Sequence, residues 1–150
     1  MNIKIYIAII SIWLLPLTKV LAQVSLQNTT CEMLTNPRGI DVQKPRLAWH
    51  IISKERKVMQ TAYQVLVASS LEKLNANEGD LWDSGKINST ESIHVNYNGN
   101  ALKSRLKAHW KVKVWTTAGQ SEWSANNYFS MGLLYYKDWP KGWIGFDRAF

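Results

Sequence analysis

Apolar and polar residues alternate along most of the chain beyond residue 23. Four stretches show a period of two, and each places a row of apolar side chains on one side: Leu47, Trp49 and Ile51; Tyr63, Val65 and Val67; Ile93, Val95 and Tyr97; Trp110, Val112 and Val114. A period of two, rich in β-branched and aromatic residues, is typical of strands with one buried face. The pattern therefore predicts half-buried β-strands.

Turn residues separate these stretches and divide the chain into seven short predicted strands. Gly, Pro, Asn and Asp cluster between the apolar runs, as at Asn36 to Gly39, Ser84-Gly85 and Asn98-Gly99. The strands are predicted within residues 23–34, 46–53, 61–69, 80–84, 92–98, 109–115 and 126–134. A single helical turn is predicted over 70–77, with Ser70 as its cap. Seven such strands predict an all-β, immunoglobulin/fibronectin type III-like sandwich.

The first 22 residues have the features of a signal peptide. Lys4 precedes an apolar run over residues 5–15, and small residues lead to Ala22. The run is shorter than the ~20 residues that a membrane-spanning helix needs. We therefore predict cleavage after Ala22 and a secreted or periplasmic product with no membrane association, and an uncleaved anchor is the alternative.

Composition and charge narrow the range of partners. The 150 residues suffice for about one domain. Cleavage would remove two of the 18 Lys and Arg residues and none of the 11 Asp and Glu residues, so the net charge of +7 falls to +5. The basic residues alternate as on the solvent face of a strand: Lys103, Arg105, Lys107, Lys111 and Lys113. Because a nucleic-acid site needs clustered charge, we expect no nucleic-acid partner.

The residues that could carry chemistry are dispersed. Cys31 is the only cysteine, so an internal disulfide is impossible and a buried role is expected. Asp80 and Asp83 are a closely spaced pair of carboxylates, but both adjoin turns, and residues three apart on a strand point to opposite faces. The three histidines, His50, His94 and His109, lack metal-ligand spacing. We predict no catalytic residue, no metal site and no cofactor in this chain.

Several residues resemble those of a fibronectin type III module: Trp49, Tyr63, Leu102 and the turn GQSEWS at 119–124. The tetrapeptide SEWS is similar to half of the Trp-Ser repeat of cytokine receptors, in which the Trp stacks on basic side chains. The resemblance implies that Trp123 stacks on Lys111 or Lys113 as a structural cation–π contact rather than binding a ligand.

A second resemblance spans most of the chain. It consists of six ordered motifs: NPRGIDVQKPRLAWHI, QTAYQVLVASS, GDLWDSGKI, WKVKVW, FSMGLL and DWPKGWIG. Together they resemble the N-terminal portion of bacterial α-L-rhamnosidases, which are secreted glycoside hydrolases. The resemblance implies that residues 23–136 are an ancillary module and that 137–150 are a linker and the truncated start of the next domain. The catalytic groups of that family belong to a helical domain that is not in this sequence, so the chain alone is expected to be inactive.

The same resemblance assigns expectations to particular residues. Trp115, Trp139 and Trp143 are candidates for contact with the missing downstream domains or with rhamnose-containing glycans. Ala108 stands where the family usually has a Tyr that bonds to a nearby loop, so His109 or a water is expected to substitute. The alternative function is a free-standing extracellular fibronectin-type module that binds carbohydrate or protein.

Overall fold

A computed structural model describes residues 24–139 as two antiparallel sheets. The strands are β1 (Ser25–Cys31), β2 (Arg46–Ile52), β3 (Gln60–Ala68), β4 (Trp82–Asp83), β5 (Ile87–Asn88), β6 (Val95–Asn96), β7 (Lys107–Thr116), β8 (Gly119–Gln120) and β9 (Asn127–Ser130). A short helix, α1 (Leu71–Asn75), follows β3, and a 3₁₀ turn spans Tyr136–Asp138. The predicted signal peptide at 1–22 and Trp143 lie outside the described residues. No helix between residues 24 and 139 is long and apolar enough to cross a membrane.

The two sheets have the layout of an immunoglobulin-like sandwich. The first sheet has the order β1-β2-β6. In the second sheet, β3 and β7 are central and pair along their length. The short strands β4 and β5 pair with the other edge of β3, and β8 and β9 pair with the other edge of β7. This confirms the predicted fold class. Each of the seven predicted strands overlaps one strand of the structure. The other two, β5 and β8, were not predicted, because each has only two residues and follows turn residues.

The inward rows predicted from alternation form the core between the sheets. Leu47 and Trp49 of the first sheet meet Val65 and Val112 of the second, and all four are fully buried. Cross-strand pairing of Val65 with Val112 and of Val67 with Trp110 keeps the apolar rows of β3 and β7 in register.

Ile93 is an exception to the predicted core. It was placed in a row with Val95 and Tyr97, but its side chain is 61% exposed. His94 has a left-handed backbone with φ of 59°, which breaks the extended alternation, so β6 begins only at Val95.

A buried glutamine connects the two sheets. The indole Nε1 of Trp49 donates to Oε1 of Gln60 at 2.9 Å, and the ring packs edge-on against Tyr63 at a centroid distance of 5.3 Å. Nε2 of Gln60 in turn donates to the carbonyls of Ser89 (3.1 Å) and Glu91 (2.6 Å). The glutamine therefore satisfies one buried donor and two backbone acceptors at the same time.

Tyr97 supplies the loop anchor that Ala108 cannot. Its hydroxyl lies near the carbonyl oxygens of Leu81 (3.1 Å) and Asn100 (2.7 Å), and burial together with the charge of Asp80 raises its pKa to about 12. Ala108 is fully buried, and His109 lies against the ring of Tyr128 at 6.3 Å. The loop anchor in the structure therefore comes from Tyr97 at the end of β6, and the substitution of His109 or a water for the family's tyrosine stays a prediction.

Replacing Gln60 tests this polar connection. We expect Gln60→Met to lower the free energy of unfolding by about 2 kcal/mol, because it leaves the Trp49 indole and two carbonyls without partners in a buried place. Gln64→Met, on the opposite face of β3, should change it by no more than about 0.5 kcal/mol. Urea unfolding of the three proteins provides the measurement, and equal losses for the two variants would contradict the role given to Gln60.

Candidate functional site

The candidate residues on β7 lie on the outer face of the second sheet, which is the side turned away from the core. Val112 and Val114 point inward, so Lys111, Lys113 and Trp115 point outward between them. Helix α1 covers one half of this face and leaves the other half open. The two halves place similar side chains in different surroundings.

Lys111 lies under the covered half and is not part of a solvated face. Its side chain is directed outward, yet the residue is only 6% exposed. Its Nζ donates to the carbonyl of Leu74 at 2.7 Å and to Oδ1 of Asn77 at 2.6 Å, and lies 5.1 Å from the ring centroid of Trp123. Burial lowers the pKa of Lys111. The side chain therefore adds a charged donor to the Leu74 carbonyl at the C-terminal end of α1, which also accepts from the backbone N of Asn77 at 3.0 Å.

Trp115 lies in the open half between two lysines. The Nζ of Lys86 is 4.5 Å from its ring centroid and that of Lys113 is 5.8 Å away. Lys113 is thus next to Trp115, while Lys111 is the lysine beside Trp123. Sequence reasoning did not identify Lys86, because it lies in the loop between β4 and β5 and no periodic pattern relates it to β7.

A cleft of about 640 Å³ opens between β4–β5 and β6, the facing edges of the two sheets. Its lining combines aromatic and polar side chains: Lys44, Tyr63, Trp82, Asp83, Ser84, Ile87, Asn96, Tyr97 and Asn98. Trp82 and Tyr97 pack edge to face at 5.4 Å, so the apolar wall is held by the fold itself.

The two carboxylates noted in the sequence hold loops in place. Asp80 accepts hydrogen bonds from the backbone N (2.8 Å) and Oγ (2.6 Å) of Ser69 and pairs with Lys73 at 2.8 Å. Burial alone would raise the pKa of Asp80, but the bonds from Lys73 and Ser69 outweigh it and lower that pKa to about 2. Asp83 accepts from Nε2 of Gln64 and from the backbone N of Gly85, both at 2.8 Å.

Cys31 and the histidines do not form a reactive group. Cys31 is 1% exposed, and burial, with a smaller contribution from the charge of Glu32, raises the pKa of its thiol to about 12. A thiol with this pKa is a poor nucleophile at neutral pH. Among residues 24–139, no three His, Cys, Asp or Glu side chains are grouped as metal ligands.

Trp115 and Trp139 lie near opposite ends of β7. Trp115 pairs with Gln120 where β7 ends, whereas the segment leading to Trp139 contacts the loop before β7 through Ser104 and Asp138. Trp139 is 59% exposed. The structure therefore does not bring Trp115 and Trp139 together, and the third candidate, Trp143, lies beyond the described residues.

Comparison with known proteins agrees with this architecture. The sequence profile of the N-terminal immunoglobulin domain of Rha78A-like proteins matches residues 26–135. The chain belongs to this family. The resemblance to the N-terminal part of α-L-rhamnosidases is thereby confirmed.

Relatives of this module are α-L-rhamnosidases that are much longer than the chain. An α-L-rhamnosidase of Formosa agariphila is 42% identical over 112 residues, which is 73% of this chain and 12% of that protein. One of Streptomyces avermitilis is 42% identical over 114 residues, which is 75% of this chain and 11% of that protein. The chain thus spans only a small part of the length of the relatives that it matches.

Two solved structures have the same fold over this region. The α-L-rhamnosidase of Dictyoglumus thermophilum superposes with a TM-score of 0.74 at 40% identity, covering 77% of this chain and 13% of that one. The Streptomyces avermitilis enzyme, solved with L-rhamnose, gives 0.73 at 39% identity, covering 77% and 11%.

Replacing Lys111 and Lys113 separately distinguishes a structural contact on β7 from a surface one. We expect Lys111→Met to lower the free energy of unfolding by about 1–2 kcal/mol, because the Leu74 carbonyl and the Asn77 amide oxygen lose a charged donor. Lys113→Met should change it by no more than about 0.5 kcal/mol. Chemical denaturation measures both. A Lys111→Met protein as stable as the parent would show that desolvation of the ammonium cancels its hydrogen bonds.

The depressed pKa of Asp80 predicts an acid-sensitive contribution to stability. Because the pKa falls from 3.8 to about 2 on folding, the contribution is complete above about pH 4 and is lost as the pH falls through about 2. We expect Asp80→Asn to flatten the pH dependence of the unfolding free energy in this window. Lys73→Met should flatten it partly, since the Ser69 bonds remain. Denaturation series at successive pH values test this, and an unchanged slope in Asp80→Asn would contradict it.

Proposed function

We propose that this chain is the ancillary, non-catalytic first module of a longer, secreted α-L-rhamnosidase, which would remove terminal α-L-rhamnose from glycans. The observation that carries the proposal is the match of residues 26–135 to an N-terminal immunoglobulin domain whose relatives are α-L-rhamnosidases, of which the chain spans 11–13%. The module would act by packing on the domains that follow it.

The roles of the carboxylates support a non-catalytic module. An inverting glycosidase needs an acid and a base roughly 6.5–9.5 Å apart across a sugar site. Asp80 and Asp83 are instead committed to Ser69, Lys73, Gln64 and Gly85, and the pKa of Asp80 is lowered, which is opposite to the shift that a general acid requires. The catalytic pair would therefore belong to the rest of the enzyme.

The proposal also covers the organisation of the chain. Residues 1–22 would be a signal peptide cleaved after Ala22, 23–136 the sandwich, and 137–150 a linker and the start of the next domain. The short apolar run followed by small residues supports export to the periplasm or the medium.

A free-standing extracellular binding module is the second candidate. The cleft beside β6 favours it, because aromatic walls at Tyr63 and Trp82 with amide side chains at Asn96 and Asn98 could hold a saccharide. Saccharide binding by the isolated chain would favour this candidate, whereas a gene whose frame continues into a glycosidase domain favours the first.

An activity assay on the isolated module tests the proposed division of labour. We expect purified 23–150 to release no nitrophenol from nitrophenyl α-L-rhamnoside, because the acid and base would lie elsewhere in the enzyme. An intact α-L-rhamnosidase related to this chain, such as that of Streptomyces avermitilis, serves as the positive control. Turnover by the pure module would overturn the assignment of catalysis to another domain.

A further inference from the structure

Three segments meet at the end of the sandwich from which the chain leaves. Ile40 forms a bridge with Met131, and Arg105 donates its backbone N to the carbonyl of Gly132 at 3.1 Å. These contacts gather residues 32–45, 98–106 and 131–139 around the ends of β1, β6 and β9. We call this surface the exit end.

The final described residues are fixed against the exit end. The Oγ of Ser104 bonds to the carboxylate of Asp138 and accepts from the backbone N of Leu134 at 2.8 Å. A longer contact, 3.4 Å, joins Nη2 of Arg105 to the carbonyl of Asp138. The 98–106 loop therefore holds the segment that ends at Trp139 in place.

Exposed apolar side chains are concentrated at the exit end. Among residues 24–139, six of the ten exposed large apolar residues lie in these three segments: Met33, Leu34, Val42, Tyr135, Tyr136 and Trp139. Tyr136 is 94% exposed. Single exposed apolar residues are ordinary on protein surfaces, but their concentration on one surface is typical of an interaction site.

The left-handed backbone of Met33 is a second observation at the exit end, and among residues 24–139 seven other non-Gly residues, including Lys57 at the far end, share a positive φ. Cys31 and Leu34 exchange two backbone hydrogen bonds of 3.0 Å, so Glu32 and Met33 form a two-residue turn, with φ of 49° and 62°. Such turns favour Gly, Asn or Asp. Glu32 is accounted for, since its carboxylate accepts from the backbone N and the guanidinium of Arg46, both at 2.6 Å. Met33 is 74% exposed, so the fold gives it no internal contact that explains the strain.

The opposite end and the outer face are weaker candidates. Ile52, Met59 and Ile93 are exposed at the far end, but the described chain does not leave there. Trp115 already has Lys86 at 4.5 Å and Lys113 at 5.8 Å beside its ring.

From these observations we infer that the exit end is the surface on which the next domain of the same polypeptide packs, with Met33, Leu34, Tyr136 and Trp139 as its apolar contacts. The inference rests on the proposed function. The occupant would be the following domain, because that domain would begin shortly after Trp139 and because the matched relatives, in which this module is N-terminal, are much longer than the chain. Lys103 and Arg105 beside the exit suit a partner surface with acidic side chains around an apolar centre.

Amide hydrogen exchange tests the inference on the 150-residue chain and on the intact polypeptide encoded by its gene. We expect amides in 32–42 and 131–139 to be protected about tenfold or more in the intact polypeptide relative to the chain alone. Amides in 53–59 and 89–93, at the far end, should exchange equally in both proteins.

Substitution of Met33 separates docking from folding. Because Met33→Gly removes a strained side chain, we expect it to raise the melting temperature of the 150-residue chain by about 4 °C. In the intact polypeptide, the same substitution should reduce the amide protection at the exit end. Met59→Ser, at an exposed methionine of the far end (61% against 74% for Met33), should leave the protection unchanged. A variant that only damaged the fold would lower the melting temperature instead.

The outcomes distinguish the two proposals. A reading frame that stops after Phe150, or an intact polypeptide in which no segment of the module gains protection, would overturn both the proposed function and the docking surface. Protection at the far end or around Trp115, without protection at the exit end, would overturn the docking surface alone and leave the ancillary role intact. Unchanged exit-end protection in the Met33→Gly protein would remove Met33 from that surface.

Discussion

The burial of Trp49 between the two sheets, with a hydrogen bond to its indole nitrogen, is the interaction on which the rest of the sandwich depends. A buried indole contributes a large apolar area but needs an acceptor for its N–H. Gln60, at the start of β3, provides that acceptor at 2.9 Å. The backbone N of Trp49 also donates to the carbonyl of Ser92 at 2.9 Å, just before β6. Trp49 of β2 is therefore hydrogen-bonded both to the second sheet and to the segment that leads into β6, the strand beside β2.

Alternation along the sequence was sufficient to predict which side of β2, β3 and β7 faces the core. It places Val112 and Val114 inward and Lys111 and Lys113 outward, as observed, because a strand imposes a period of two whatever surrounds it. Alternation could not reveal that Lys111 is buried, since its cover comes from α1, a segment packed on the sheet by tertiary contacts. Nor could it place Ile93, because the left-handed backbone of His94 is a local departure that interrupts the period.

The outer face shows why residue types that suggest a binding site can have structural roles. Lys111 and Trp123 meet beneath the end of α1, where the ammonium group satisfies a helix carbonyl and the ring covers Leu66 and Leu74. The only signal for this contact in the sequence was the SEWS motif, and it gave the ring but left the choice between two lysines open. Lys86, one of the two lysines beside Trp115, had no signal at all, because loops bring residues to a strand without a periodic relation.

The core of the fold is closed, whereas the exit end carries exposed apolar residues. This difference bears on how the module works. The core closes without a disulfide, since Cys31 is the only cysteine and is itself buried. A domain that is stable by its own packing has no folding need for a strained, exposed Met33 or for a fully exposed Tyr136. Selection for stability alone would favour Gly or Asn at the turn and polar residues beside the exit. The inferred docking surface accounts for their apolar character, since a contact with a following domain would bury these side chains without giving them a role in the stability of this domain.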